Sequence, residues 1–352
     1  MHAQESSGVL APSGAQSRNV RVLHALNPPD GRTRYVDHML GSNPPGVDQT
    51  PFSWRRALLE PYDILHVHWP ENLVKARTGP RTYLKSILAV LLIVRLYMFR
   101  TPVVRTLHNL TPHEDQLLPG RIISRSLDRL TAHYICLNPA TQAPSGSPSS
   151  VILHGHYRGV YRRTNVPADP SKLLYFGIIR PYKGVENLID GFRALPGHNL
   201  RLRIVGQPLT SMLRESIIEK SRADPRIELR LEFVSDDDLA REIEESAMVV
   251  LPYREMHNSG AALLALSLDR PVLAPATVAN IALRDEVGPH WLHLYQSAEL
   301  GTEELRDAYE AVNSKMNDPS DRPDLSGRDW QQVGNAHAGV YVRLARTRGS
   351  FK

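Results

Sequence analysis

The sequence predicts an α/β fold built from two doubly wound domains in tandem. Its 352 residues are too many for one ordinary core, so two domains of roughly 150 residues each are the natural division. Short apolar runs that end in turn residues recur along both halves, with helix-compatible segments between most of them. Strand, loop and helix in repetition are typical of a parallel sheet covered on both faces.

Five apolar runs in the first half are predicted strands, because each is short and stops at polar or turn residues. The first, VRVLHAL, ends in the turn-rich NPPDG, and the third, VVRTL, ends at His108. The runs are VRVLHAL (20–26), DILHVH (63–68), VVRTL (103–107), YICL (134–137) and VIL (151–153).

A polar segment with two prolines, YRRTNVPADPS, separates this series from a second one. The second series is LLYFGI (173–178), LRLRIV (200–205), IELRLEF (227–233), MVVL (248–251) and PVLA (271–274). We therefore predict a flexible tail over 1–18, a first domain over 19–160, a linker over 161–171 and a second domain over 172–328. Ligands of such sheets bind beyond the carboxyl ends of the strands, so the cleft between the domains is the expected active site.

Charge and composition narrow the partners. The net charge is +5 and the pI about 9.3, an excess that suits phosphorylated substrates or anionic lipid. No zinc-ligand spacing and no nucleic-acid module is present, so no nucleic-acid partner is predicted. The single cysteine, Cys136, excludes an intramolecular disulfide and fits a reducing compartment. The polar first eighteen residues have no apolar core, so no export signal is predicted.

The segment SILAVLLIVRLYMF (86–99) is strongly apolar and has basic residues on both sides. Its uninterrupted apolar run, 87–94, is far shorter than the ~20 residues that a membrane span needs. One interpretation is a buried helix that packs on the sheet. The other is a helix in the membrane interface, with basic flanks attracted to anionic lipid. The two overlap, because one helix can pack on a sheet and present its other face to lipid.

The strongest local signal is FGIIRPYKGVENLIDGF (176–192). A strand leads into a turn that carries Arg180 and Lys183, and a helix opens near Val185. Two cations beside a helix N-terminus suit a diphosphate, and they would stabilise the charge that a leaving diphosphate gains. The alternative is a basic turn that only caps the helix.

This segment resembles the first motif of the carboxy-terminal domain of GT-B glycosyltransferases. The resemblance spans about residues 20–345 and implies two Rossmann-like domains facing each other across a cleft. It implies that a nucleotide sugar is the co-substrate, that Arg180, Lys183 and Gly184 hold its diphosphate, and that no other cofactor is needed. Further pieces follow in the same order. Gly206 comes first, and the segment from Phe233 to Leu239 resembles the one that contacts the nucleoside. The donor loop 251–275 with Asn258, Ser259 and Gly260 comes next, and a terminal helix (329–348) returns to the first domain.

One departure bears on stereochemistry. Many retaining GT-B enzymes carry two glutamates eight positions apart in the donor loop, where this chain has Leu264 and, near the first position, Met256. The chain is more similar to bacterial GDP-mannose:glycolipid β-mannosyltransferases of exopolysaccharide assembly, through NSGAALLALSLDRPVLAP, HNLTPHE and HGHY. That similarity implies transfer of a hexose, mannose from GDP-mannose, to a lipid-linked glycan acceptor, at the inner face of the plasma membrane and without a metal.

An inverting enzyme needs one general base near the acceptor hydroxyl. The candidates follow first-domain strands: Asp30, His68, Glu71, His108, His113 and Glu114. We favour Glu71, His108 and Glu114, against the alternative that each only hydrogen-bonds a loop backbone. His154 and His156 flank Gly155, where the absence of a side chain permits a close backbone approach. Either histidine could contact the donor, and the alternative is that both are structural. The histidines are scattered along the sequence, so no metal site is predicted.

Two other functions remain open. One is a cytosolic transferase or epimerase that acts on a soluble nucleotide sugar. The other is a catalytically silent GT-B scaffold that serves as a partner subunit, against which the paired cations Arg180 and Lys183 argue.

Overall fold

The computed structural model describes residues 18–29, 34–74, 79–108, 118–197, 199–314 and 321–349. These residues form two six-stranded sheets in which every strand pair is parallel. The predicted α/β class with two doubly wound sheets is confirmed.

The first sheet and its helices come from the first half of the chain. Their bounds are β1 (Val20–His24), α1 (Arg34–Gly41), β2 (Val47–Pro51), α2 (Trp54–Leu59), β3 (Ile64–Val67), α3 (Gly79–Met98), β4 (Val103–Leu107), α4 (Leu118–Leu130), β5 (Thr131–Cys136) and β6 (Ser149–Val151).

The second sheet and its helices follow, and a last helix ends the described chain. Their bounds are β7 (Asp169–Phe176), α5 (Val185–Arg193), β8 (Arg201–Val205), α6 (Ser211–Ser221), β9 (Ile227–Arg230), α7 (Asp236–Glu244), β10 (Ser246–Val250), α8 (Gly260–Ser267), β11 (Val272–Pro275), α9 (Val278–Val287), β12 (Leu292–Tyr295), α10 (Thr302–Asn313) and α11 (Trp330–Gly349). Short 3-10 turns cover Pro70–Leu73, Pro181–Lys183 and Ser326–Arg328.

Each sheet has one place where the chain reverses its course across the strands. The strand orders are β2-β1-β3-β4-β5-β6 and β12-β11-β10-β7-β8-β9. In the first sheet β1 lies between β2 and β3, and in the second β7 lies between β10 and β8. On either side of this place the connections run toward opposite edges of the sheet, which opens a crevice at the carboxyl ends of the strands. The two crevices define where ligands are expected.

The sequence missed some strands and misplaced some strand ends. The pattern did not predict β2, whose sequence VDQTP has one buried residue, Val47, because it is a polar strand at the sheet edge. Strand β7 begins at Asp169, inside the predicted linker, and ends at Phe176 rather than at Ile178. Gly177 has φ +111°, a conformation that ends the strand there.

Helix α3 packs on the first sheet with one face and is exposed on the other. Ala89, Leu92 and Leu96 belong to the core beneath it. Ile87 and Leu91, on the opposite face, remain 59% and 50% exposed. The segment thus satisfies the packed-helix interpretation and leaves an apolar face uncovered within the described chain. Among the residues that the structure places, no helix is both long and apolar enough to cross a membrane.

Helix α11 returns to the first sheet. Its residues Val333, Val340 and Tyr341 share a core with Val22 of β1 and Ile64 of β3. The hydroxyl of Tyr341 is 2.6 Å from Nδ1 of His66, so a buried hydrogen bond joins the last helix to the centre of the first sheet. The last helix therefore packs on the first domain.

Candidate active site

Three adjacent strands of the second sheet carry the predicted donor residues. Arg180, Lys183 and Gly184 follow β7, Gly206 follows β8, and the loop to Ser259 and Gly260 follows β10. Because β10, β7 and β8 are neighbours, their carboxyl ends place these loops side by side. The predicted residues thus meet at the crevice where the second sheet reverses.

Lys183 is a cation that burial has destabilised. Burial, and then repulsion from Arg180, lowers its pKa to about 8. Its Nζ lies 5.0 Å from the centre of the Tyr253 ring, where a cation–π contact partly replaces water. The amine remains protonated at pH 7, and a diphosphate would supply the negative charge that its surroundings lack.

Two glycines let the neighbouring loops approach each other. Gly184 has φ +63°, and a Cβ on it would meet the carbonyl oxygen of Pro252 at 2.0 Å. Gly206 has φ +147°, and a Cβ there would meet the oxygen of Gly177 at 2.0 Å. Any other residue at either position would force the backbones apart, so both glycines maintain the shape of the crevice.

The loop after β10 completes this edge. The amide of Arg254 donates to the oxygen of Tyr182 (2.9 Å), which fixes the loop against the cationic turn. The Ser259 hydroxyl accepts from the amide of Ala262 and caps α8. The amides of Gly260 and Ala261, at the start of the helix and ahead of the capped amide of Ala262, have no acceptor one turn earlier in the helix and can bind an oxyanion.

The side chain of Asn258 contacts the first domain. Its Nδ2 donates to the backbone oxygen of His108 at 2.7 Å, and its Oδ1 accepts from Nδ2 of Asn138 at 2.8 Å. The side-chain amide therefore links the donor loop to two loops of the first domain. Thr141 and His257 add a second link, with Oγ1 and Nε2 2.7 Å apart.

Histidines that are scattered in the sequence come together at the carboxyl edge of the first sheet. Nδ1 of His24 lies 3.4 Å from Nε2 of His68, and Nδ1 of His68 lies 3.3 Å from Nε2 of His108. His66 is held at both nitrogens, by Tyr341 and by Thr106. Burial lowers the pKa of His24 and of His108 to about 3, and that of His66 and His68 well below its ordinary value. The rings are neutral at pH 7.

Three of these imidazoles, His24, His66 and His68, offer nitrogens within 4.8 Å of one another, as a metal site requires. Both nitrogens of His66 already have hydrogen-bond partners, and His24 and His68 contact each other. In this cluster only Nε2 of His24 is buried without a hydrogen bond of acceptable geometry to the described residues. The arrangement is that of a hydrogen-bonded histidine cluster, which sequence spacing did not reveal.

Aromatic rings surround His108. Trp69 stacks on it with ring centres 4.3 Å apart, and Tyr35 meets it edge-on at 4.9 Å. Tyr35 is buried, so the three rings form a packed aromatic cluster that holds the imidazole in place. The sequence reading missed Tyr35 and Trp69, although Trp69 directly follows the His68 that it named.

The other candidate bases are distributed unevenly. Glu71 lies in the short turn that follows β3. Burial lowers the pKa of Arg105, and the nearby charge of Glu71 opposes that shift only in part. Asp30, His113 and Glu114 lie outside the described residues. The structure thus places Glu71 and His108 at the carboxyl edge of the first sheet.

The segment around Gly155 anchors the returning chain. Nε1 of Trp330 donates to the oxygen of His156 at 2.7 Å, and Nη1 of Arg328 donates to the oxygen of His154 at 3.0 Å. A Cβ on Gly155 would meet the indole of Trp330 at 2.4 Å. The close approach that this glycine allows is therefore to Trp330, and both flanking histidines hold the last helix through their backbones.

A groove of about 410 Å³ lies beyond the carboxyl ends of β8 and β9. Gln207, Arg214 and Glu232 give it polar walls, and Phe233, 74% exposed, adds an aromatic face. The resemblance to GT-B enzymes implies that the segment at Phe233 contacts the nucleoside. The groove adjoins Gly206 in sequence, so its place is consistent with that assignment.

The histidine cluster makes folding sensitive to acid. Each ring is neutral when folded, whereas an unfolded histidine titrates near 6.5. Their stabilisation is complete above about pH 6.5 and is lost progressively as the pH falls from there toward the folded values, at up to about 1.4 kcal/mol per pH unit for each ring. Denaturant unfolding from pH 7.5 to 5 measures this loss; a flat profile would contradict it. Replacement of His337, whose pKa burial lowers to about 4, by Leu should flatten the slope.

Relatives in sequence identify the family. A family model described as Glycosyl transferases group 1 matches residues 170–300. Over 340 residues, and 96% of both chains, the protein is 42% identical to a GDP-mannose:glycolipid 4-beta-D-mannosyltransferase of Xanthomonas campestris pv. campestris. A second protein of that name, from another strain, is 41% identical over 340 residues and 96% of both chains.

Solved structures agree on the fold. The Anabaena protein HepE, crystallised with UDP and glucose, has a TM-score of 0.58 at 16% identity, covering 95% of this chain and 99% of its own. Sucrose-phosphate synthase from Thermosynechococcus elongatus also has a TM-score of 0.58, at 13% identity, with 95% and 98% covered. At these identities the likeness concerns the fold alone.

Two doubly wound domains with a cationic turn at the second crevice define a GT-B glycosyltransferase. This chain belongs to the group 1 glycosyltransferases, in the family of the GDP-mannose:glycolipid 4-beta-D-mannosyltransferases. The predicted fold, family and enzyme class are thereby confirmed.

Proposed function

We propose that this glycosyltransferase moves mannose from GDP-mannose to a lipid-linked glycan in exopolysaccharide assembly. The observation that carries the proposal is the 42% identity to the Xanthomonas enzyme, whose name specifies that donor and a glycolipid acceptor. The identity extends over 96% of both chains, so it includes the acceptor domain as well as the donor domain.

The donor diphosphate would lie between the cationic turn and the start of α8. Lys183 and Arg180 would face it from one loop, and the amides of Gly260 and Ala261 would face it from another. As the bond between the sugar and the phosphate breaks, charge grows on the diphosphate, and these fixed groups stabilise it. Fixed cations of this kind can do the work of a divalent ion, so we propose that transfer is metal-independent and needs only the nucleotide sugar.

A β-linked product from an α-linked donor requires inversion at the anomeric carbon. The acceptor hydroxyl then attacks from the face opposite the diphosphate, and a base takes its proton. A pKa of about 3 leaves His108 little affinity for that proton, so we assign it to the aromatic cluster with Trp69 and Tyr35 rather than to the base. Glu71 and Glu114 remain as the proposed bases.

The exposed face of α3 supports a place at the membrane. Ile87, Leu91 and Tyr97 are uncovered, and the basic residues Arg81 and Arg100 lie toward the two ends of the helix. An apolar face with cationic ends suits the interface of an anionic bilayer. We propose peripheral association with the cytoplasmic face of the plasma membrane, where a lipid-linked acceptor is also found.

The donor base can be tested by thermal stability. GDP at ~100 times its dissociation constant should stabilise the protein by roughly 2.7 kcal/mol, a shift of several degrees in the melting temperature. UDP at the same concentration serves as the matched control and should give a much smaller shift. A larger shift with UDP would contradict the proposed donor, whereas the glycosyltransferase family would stand.

A further inference from the structure

A cavity of about 490 Å³ opens on the side of the first sheet opposite the candidate active site. It lies at the amino ends of β1, β3 and β4, whereas the active-site residues follow the carboxyl ends. Arg18, Arg21 and Arg95 contribute to its wall, and Leu59 and Phe99 contribute to its rim. The cavity is therefore separate from the donor and acceptor crevices.

Arg95 is the most constrained of these cations. Its guanidinium carbon lies 4.3 Å from the centre of the Tyr62 ring and 5.4 Å from that of Phe99. Nη2 donates to the backbone oxygen of Glu60 at 2.8 Å. Nη1 is buried without a hydrogen bond of acceptable geometry to any described residue. A positively charged donor held between aromatic rings, with one nitrogen unused, favours an anion.

The other charges leave the cavity positive. Asp63 accepts from both Arg18 and Arg21, so one carboxylate faces three guanidinium groups in the wall. The main-chain amide of Arg21 also donates to Asp63 at 2.9 Å, which fixes the acid at the strand entrance. The lining thus keeps a net positive charge that an anionic group can neutralise.

The rim indicates where the anion comes from. Phe99 directly follows α3 and is 59% exposed, and Leu59, at the end of α2, is 78% exposed. Both continue the uncovered apolar face of α3 to the mouth of the cavity. A ligand with a charged head and an apolar tail matches a cationic wall beside an apolar rim, because basic groups next to an apolar membrane-facing surface are attracted to anionic lipid headgroups.

We infer that this cavity binds the phosphate headgroup of an anionic bilayer lipid while α3 lies on the same bilayer. The inference rests on the proposed membrane association and adds a defined site to it. The bound headgroup would fix the rotation of the first domain on the membrane, with the active-site crevice at the opposite sheet edge.

Vesicle sedimentation tests the inference, with phosphatidylglycerol in phosphatidylcholine vesicles compared with phosphatidylcholine alone. Arg95→Gln is compared with Arg81→Gln, which removes the same charge from the exposed first turn of α3. One surface charge is worth about fivefold in binding. Arg95→Gln should weaken vesicle binding roughly tenfold more than Arg81→Gln does, because charge-assisted hydrogen bonds are lost as well. Arg95→Lys keeps the charge but not the planar fork, and it should also bind clearly less than wild type.

The outcomes separate the two proposals. If the wild-type protein ignores anionic vesicles, both the membrane association and the headgroup site are wrong. If it binds and the two Gln variants lose equally, or Arg95→Lys binds as wild type does, only the headgroup site is wrong. The melting temperatures of wild type and Arg95→Lys are also measured with inorganic phosphate. If phosphate alone raises the melting temperature of wild type but not of Arg95→Lys, and vesicles give no preference, the ligand is free phosphate and the lipid assignment is overturned.

Discussion

Replacement of Lys183 by Ala is expected to reduce transfer by about 10²–10³-fold, the usual effect of removing one group that stabilises a developing oxyanion. Burial, and then repulsion from Arg180, lowers the pKa of this amine to about 8, so the folded protein holds a cation whose charge a bound diphosphate would stabilise. The loss should fall mainly on kcat, since the leaving diphosphate gains charge in the transition state.

Lys220→Ala is the matched control. That lysine lies in the same domain, pairs with Asp190 on α5 and is exposed in part, away from the crevice. It should keep both turnover and stability close to wild type, because surface ion pairs contribute little. Turnover by Lys183→Ala within a few-fold of wild type would contradict the assignment of the cationic turn to the donor diphosphate.

Replacement of Gly184 by Ala is expected to cost about 3 kcal/mol or more of unfolding free energy, together with most of the activity. The added Cβ would lie 2.0 Å from the oxygen of Pro252, a backbone atom that cannot move without the loop after β10. The left-handed φ of +63° adds strain for any side chain. Both effects displace the two loops that we assign to the diphosphate.

Gly339→Ala is the control for this substitution. Gly339 lies within α11, and a Cβ there would meet no atom within 4 Å. Alanine should be neutral or stabilise by up to about 1 kcal/mol, because it is the better helix former. Urea unfolding of both variants gives the comparison. Equal stability of Gly184→Ala and wild type would contradict the close approach of Gly184 to the carbonyl oxygen of Pro252.

Much of the fold was readable from the sequence because its strands are buried on both faces. LLYF and MVVL are continuous apolar runs, the pattern of a central parallel strand. The donor edge was readable for a related reason. Arg180, Lys183 and Gly184 are adjacent in sequence, and one turn holds them together.

The rest depended on contacts between distant segments. His24, His68 and His108 are separated by forty or more positions and meet only because β1, β3 and β4 are neighbours in the sheet. Asn258 carries a side chain suited to phosphate, yet it contacts His108 and Asn138 across the cleft. Local pattern gives no information on such partners. Strand β2 was missed for a different reason, since a polar edge strand lacks the apolar run that identifies the others.

The most direct test of the whole account is transfer of labelled mannose by the purified protein. GDP-mannose carrying the label is supplied with a membrane extract containing lipid-linked glycans, with EDTA present, and the organic phase is counted. We expect label in the lipid fraction with wild type and with Lys220→Ala, and almost none with Lys183→Ala. Label that enters the lipid from a UDP-sugar instead, or no transfer from GDP-mannose in the presence of a competent acceptor, would contradict it.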